Sequence, residues 1–223
     1  SFFTATTRQT AFAISSADQM FDANGNCILG EGQNYVLTND ITVELAKPIT
    51  TAIGSLDGNN KIIKINDFVV DNSSEATGYY GLFATVSENT LLYNVVVDYS
   101  NFRATKNNQL VLAYENINDI VFGGLAAVNN GLIYNCDVVN TSAQTKEINL
   151  LVNDSQNTSI TFGGLVGINN GTITNSRVGR SSFTKIIAND YSQTSSTLTF
   201  GGLNFVVGNR TIDAGQGFKS LIG

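Results

Sequence analysis

The sequence predicts an all-β fold in which one chain winds parallel strands onto itself, and three observations predict it. The stretch Phe122-Gly-Gly-Leu-Ala-Ala-Val-Asn-Asn-Gly-Leu-Ile-Tyr-Asn135 returns almost letter for letter as Phe162-Gly-Gly-Leu-Val-Gly-Ile-Asn-Asn-Gly-Thr-Ile-Thr-Asn175. A weaker copy opens at Phe200-Gly-Gly-Leu203, and a looser earlier one reads Tyr80-Gly-Leu-Phe83 and closes on Leu92-Tyr-Asn94. Phe122, Phe162 and Phe200 set steps of 40 and 38 residues, a period typical of repeat architectures. Each copy is written in Gly, Asn, Thr, Val, Ile and Phe without a sustained helical spacing, the composition of short strands and tight turns. Finally, Ile62-Ile63, Val69-Val70 and Val95-Val-Val97 are continuous apolar runs, which favour a parallel β-helix over the alternating hairpins of a β-propeller. The absence of Trp and His also removes the marks of the commonest propeller, although other propellers lack them too.

Taken in order, residues 1–13 mix aromatic and β-branched types and read as an extended segment, with residues 14–223 forming a single repeat domain. Ser16-Ala-Asp-Gln19 has the form of a capping box and predicts a short N-terminal helix that covers the open end of the stack. Tyr35 to Val43 and Lys61 to Val70 alternate apolar strands with turn residues, and Pro48, which cannot donate to a ladder, belongs at a corner. Asp71 to Thr77, Arg103 to Gln109 and Asn153 to Ser159 are polar and read as loops leaving the wall. The repeats fall at about 78–97, 122–139 and 162–178, with a degenerate copy at 200–212.

Within the repeats, the Asn-Asn-Gly triplets at 129–131 and 169–171 read as turns that accept positive φ, and the glycine pairs at 123–124 and 163–164 as points of close approach. With each ~40-residue period forming two coils of ~20 residues, the equivalent Asn94, Asn135 and Asn175 would stand ~10 Å apart, out of mutual reach. Cys27 and Cys136 fall several coils apart and are expected to be free and mostly buried.

The pattern Gly163-Gly-Leu-Val-Gly-x-Asn-x-Gly-x-Ile-x-Asn175 resembles the GLUG repeat of bacterial and some protist surface and secreted proteins. The lead-in is similar too: Tyr35-Val-Leu-Thr-Asn-Asp-Ile41, Ile53-Gly-Ser-Leu-Asp-Gly-Asn59 and Gly81-Leu-Phe83. The resemblance spans roughly Ile14 to Ile212 and implies a right-handed parallel β-helix, a solenoid with no single activity attached; Asp40 and Asp57 match it as turn residues. After Leu203 the pattern decays, so the last coil is expected to be distorted or to act as a cap.

Composition narrows the function. A net charge of −6 without a Lys/Arg cluster argues against nucleic acid, and no apolar run reaches the ~18 residues of a membrane span. The chain begins at Ser1 without a signal-like segment, which leaves a removed leader or a piece of something longer. Only 13% of residues are charged while Asn, Ser and Thr abound, as on secreted or cell-surface β proteins. Without His the most versatile acid–base group is missing, and the acids are scattered, so no catalytic, cofactor or metal residues are assigned. Of the Asn-x-Ser/Thr sequons, Asn72 and Asn153 are best placed on loops for N-glycosylation in a eukaryotic secretory source.

The reading is therefore a non-catalytic extracellular module for adhesion or for self-assembly into a layer or filament. Its partners would be further copies, neighbouring domains of a longer protein, or a carbohydrate or host surface. The alternative is a carbohydrate-active β-helix enzyme, a lyase or glycoside hydrolase, which needs at least two carboxylates on one exposed face. Ice or crystal binding would instead need Thr triplets such as Thr172-Ile-Thr174 aligned in ranks.

Overall fold

Successive side chains of a strand point to opposite sides, so triplets such as Leu91-Leu-Tyr93 and Leu132-Ile-Tyr134 send one residue inward and two outward. The computed structural model describes residues 10–69, 77–100, 110–112, 119–139, 147–152, 159–178, 185–190, 196–200, 203–207 and 210–213. For 110–112, 119, 147–152, 159–160, 162 and the described residues from 185 onward that description concerns the backbone.

The strands come in successive tiers. The first tier contributes β1 (Ala11–Ile14) and the second β2 (Asn34–Leu37) and β3 (Ile41–Val43). The third carries β4 (Ser55–Asp57), β5 (Ile62–Ile65), β6 (Tyr79–Tyr80) and β7 (Phe83–Val86). The fourth adds β8 (Leu91–Tyr93), β9 (Val96–Asp98), β10 (Leu110–Leu112), β11 (Asp119–Gly123) and β12 (Ala126–Asn129). The fifth repeats that order with β13 (Leu132–Tyr134), β14 (Asp137–Val139), β15 (Glu147–Val152), β16 (Ser159–Gly163) and β17 (Val166–Asn169). The sixth has β18 (Thr172–Thr174), β19 (Arg177–Val178), β20 (Lys185–Asp190) and β21 (Ser196–Phe200), followed by β22 (Leu203–Val207) and β23 (Arg210–Asp213).

Five sheets result: β1-β2-β4-β8-β13-β18, β3-β5-β9-β14-β19, β7-β12-β17, β6-β11-β16-β21-β22 and β10-β15-β20-β23. Every named strand pair is parallel except β21 with β22 and β20 with β23. At the degenerate repeat the chain thus folds back, Phe200 pairing Leu203, where the earlier copies pass on into a new sheet.

One repeat makes one tier, and this corrects the expectation of two coils per period. Ala11, Asn34, Ser55, Leu91, Leu132 and Thr172 oppose one another in series, so the tiers advance by 23, 21, 36, 41 and 40 residues. The narrow tier cuts the corner: after β3, Ala46 bridges to Phe68 and Ile49 to Phe83, with Lys47 and Pro48 between them. The wide tiers take the longer path, and the larger interior is filled with rings. Phe68 lies 6.3 Å from Tyr80 and 6.4 Å from Tyr99, and Tyr99 lies 6.2 Å from Phe122. The buried Tyr99 hydroxyl donates to the Gly124 carbonyl at 2.5 Å, which pairs the one polar atom that ring brings inside.

Inward rows from four sheets meet in a single hydrophobic cluster, with Leu56, Leu92 and Ile133 facing Ile63, Val97 and Val138. Full burial of such side chains stabilises by roughly 1.5–3 kcal/mol each. The N-terminal helix is absent and only one 3-10 turn, Ala17–Gln19, forms. Gln19 Oε1 does reach back to the amides of Ser15 at 2.7 Å and Ser16 at 3.3 Å, but Phe21 then bridges to Cys27 and the chain leaves the helical path. Buried Met20, Phe21 and Leu29 fill that end in its place.

Candidate binding face and cleft

The inward Leu56, Leu92 and Ile133 oblige their neighbours to face out from the six-stranded sheet. One outward row runs Val36, Asp57, Tyr93, Tyr134, Thr174, and the other runs Ser55, Leu91, Leu132, Thr172. Tyr134 is 45% exposed and Leu91, Tyr93 and Leu132 are half-buried, so a strip of apolar surface crosses the middle of this face. Burial, and then the neighbouring Asp57 carboxylate, push the Tyr93 phenol above its ordinary pKa, so it stays protonated in neutral solution. Thr172 and Thr174 are exposed, but the strands beneath carry Leu and Tyr at the same positions, so no Thr rank crosses the described part of the face.

Along one border of this face runs an amide ladder. Asn94, Asn135 and Asn175 take the left-handed conformation with φ of 57°, 50° and 51°. Asn135 Nδ2 donates to Asn94 Oδ1 at 2.7 Å, Asn94 Nδ2 donates to Asp57 Oδ1 at 3.3 Å, and an Arg177 guanidinium N–H reaches Asn135 Oδ1 at 3.4 Å. Asn94 and Asn135 therefore touch, contrary to the expectation of a ~10 Å gap, because consecutive repeats are adjacent strands. Asp57 also accepts from the Asn59 amide at 2.8 Å and so holds its turn, whereas Asp40 accepts from the Ile62 amide at 2.9 Å and ties the chain before β3 to the start of β5.

Two acids that looked scattered in sequence share a face of β9 and β14. Val97 and Val138 point into the core, so Asp98 and Asp137 point away from it. Asp137 lies opposite Val96 and Asp98 opposite Val139, which puts their backbones roughly 8 Å apart by strand geometry. Both are nearly inaccessible, at 1% and 2% exposure. Asp98 accepts from the Ser100 amide at 2.8 Å, and Asp137 pairs with Arg177 at 3.3 Å. Among the described residues no three His, Cys, Asp or Glu side chains are grouped to hold a metal ion, and no helix is long and apolar enough to cross a membrane.

A cleft of about 330 Å³ opens where the narrow tier gives way to the wide one. β6 is the last strand of its sheet, and below it the shortcut through Lys47 and Pro48 leaves space. Asn26, Cys27, Thr50, Thr51, Tyr79 and Tyr80 are among the residues that line it. Cys27 is free, and burial pushes its thiol above the ordinary range. Cys136, also free, is fully buried, and burial lifts it to about 12.

Asn72 and Asn153, the candidate glycosylation sites, lie outside the described residues, as do nearly all of the three polar loops. The tyrosine and leucine rows went unread in the sequence. Superimposing Leu91-Leu-Tyr93 on Leu132-Ile-Tyr134 and asking which positions alternate outward would have found them. The cleft has no motif, since it arises from a difference in tier length. No protein-family model, curated protein or solved structure matches the chain.

Proposed function

We propose that the chain is a right-handed parallel β-helix of the GLUG-repeat kind, a secreted or cell-surface module that works by contact and not by catalysis. Its role would be adhesion or self-assembly into a layer or filament, with further copies, neighbouring domains, or a carbohydrate or host surface as partners. The observation that carries this reading is the outward strip of Leu91, Leu132, Tyr93 and Tyr134 on a six-stranded parallel sheet. A strip of apolar side chains on a regular, hydrogen-bonded face is the kind of surface that proteins use to meet partners. The ordered steps of Leu91, Leu132 and Thr172 support the solenoid reading, and the near-total burial of Asp98 and Asp137 supports a non-catalytic one, since a polymer needs accessible carboxylates.

Negative-stain micrographs and sedimentation of the purified chain test the assembly arm. Concentration-dependent association is expected, and the double substitution Leu132→Ser with Tyr134→Ser should abolish it while leaving the far-UV spectrum of the fold in place. Association untouched by that double substitution would remove the strip from the reading. Release of reducing sugar from any of a panel of plant, algal and microbial polysaccharides would overturn the non-catalytic assignment.

A further inference from the structure

We propose that the cleft beneath β6 is a binding site for one acidic sugar unit, a hexuronate. The proposal concerns a different surface from the strip above and stands or falls independently of whether copies assemble. Three properties of the cleft carry it.

Size comes first. At about 330 Å³ the space is at the small end of ligand cavities, roughly 300–1,000 Å³, which suits a single ring and not a folded partner. A peptide strand added to the sheet edge fits poorly, because β6 offers only Tyr79 and Tyr80 as a template.

Charge comes second. Lys47 is the one side chain among the described lining residues that carries charge at neutral pH, in a chain whose net charge is −6. Among the described residues no carboxylate lies within ion-pair distance of its ammonium group. Asp22 is held below the ordinary carboxylate range chiefly by the Asn26 amide, and the field of Lys47 is the weakest contribution. A cation on a polar wall with no ion-pair partner among the described residues favours an anionic ligand.

The third property is the hydrogen-bonding surface. Thr50, Thr51 and Asn26, whose Nδ2 also donates to Asp22 at 3.3 Å, line the cleft with donors and acceptors, and Tyr79 adds an aromatic residue to the lining. Tyr79 is half-buried and packs against Val121, Ala127 and Val128, which limits the motion of its ring. A pyranose ring has the matching chemistry, with hydroxyls at its rim and an apolar C–H face. The carboxylate of a uronate would meet Lys47.

Cys27 supplies a reporter local to the cleft, because Cys136 is fully buried. The experiment measures the rate of Cys27 alkylation in the intact chain at mildly alkaline pH with sodium glucuronate, glucose or sodium acetate added at millimolar concentration. Glucuronate is expected to slow the reaction several-fold, glucose and acetate much less. Lys47→Gln should weaken glucuronate protection about tenfold, the worth of one charge-assisted hydrogen bond, while Lys47→Arg keeps it. Unchanged amide spectra outside the cleft would show that both variants fold. Protection by acetate equal to that by glucuronate, no protection by glucuronate, or a preference that survives Lys47→Gln would each overturn the proposal.

Discussion

Asn135 holds a backbone conformation that side chains with a Cβ usually avoid, with φ at 50°, and its amide bridges to Asn94. Asn tolerates the left-handed region better than most residues, at a cost that reaches 1–2 kcal/mol for others. Asn135→Leu is expected to destabilise by about 2–3 kcal/mol, from backbone strain plus a lost amide bond, whereas Asn135→Gly should lose only the bond, about 1 kcal/mol. Denaturant unfolding of the two variants checks this, and equal stabilities would remove the conformational part of the argument. Cys136 makes a second prediction at this scale. Its thiol is raised from 9.0 to about 12 by burial, so the unfolded chain releases the proton first. The contribution is fully present below pH 9 and is lost as pH rises toward 12, by up to about 4 kcal/mol. Unfolding measured at pH 7, 9 and 10.5 should show a steeper alkaline loss for the native sequence than for Cys136→Ala.

Among the elements, the Asn-Asn-Gly turns show what sequence reading reached and what it missed. The triplets are turns, but neither Asn129, Asn130 nor Gly131 has positive φ. Glycine is required at 131 because a Cβ there would collide with the carbonyl oxygens of Ser87 and Thr90 in the tier below. Asn129 is fully buried and closes the turn: its Oδ1 accepts from the Gly131 amide at 3.0 Å and its Nδ2 donates to Asn169 Oδ1 at 2.9 Å. Gly131→Ala is therefore expected to cost about 2 kcal/mol, a melting temperature lower by roughly 5 °C. A variant that melts with the native chain would mean that the tiers stand farther apart at this turn. The glycine pair at 123–124 was legible as a close approach, since a Cβ on Gly124 would meet the Gly164 carbonyl and Val138. The Ser16 capping signal was read too far: local hydrogen bonds form, but a three-residue turn cannot compete with the pairing of Phe21 and Cys27.

At the scale of the molecule, repeat and strand composition carried the all-β class and its parallel sheets, because both follow from local periodicity. The number of residues per tier did not follow. A period of 40 is compatible with one wide circuit or two narrow ones, and only the pairing of Leu91 with Leu132 and of Leu132 with Thr172 decides between them. The shared face of Asp98 and Asp137 was hidden for the same reason, since their separation means nothing until the register is known. The cleft is a step between circuits of different length, which no local pattern encodes.

That difference in circuit length has an engineering consequence. The six-stranded sheet and the β3-β5-β9-β14-β19 sheet keep their partners whether 21 or 41 residues separate one pass from the next. Excess length is accommodated after the second sheet, where the wide tiers add a whole strand, such as β15, that finds partners of its own in the four-stranded sheet. A strand grafted in by design would obey the same rule, leaving the two flanking sheets in phase as long as it brought or met an edge to pair with.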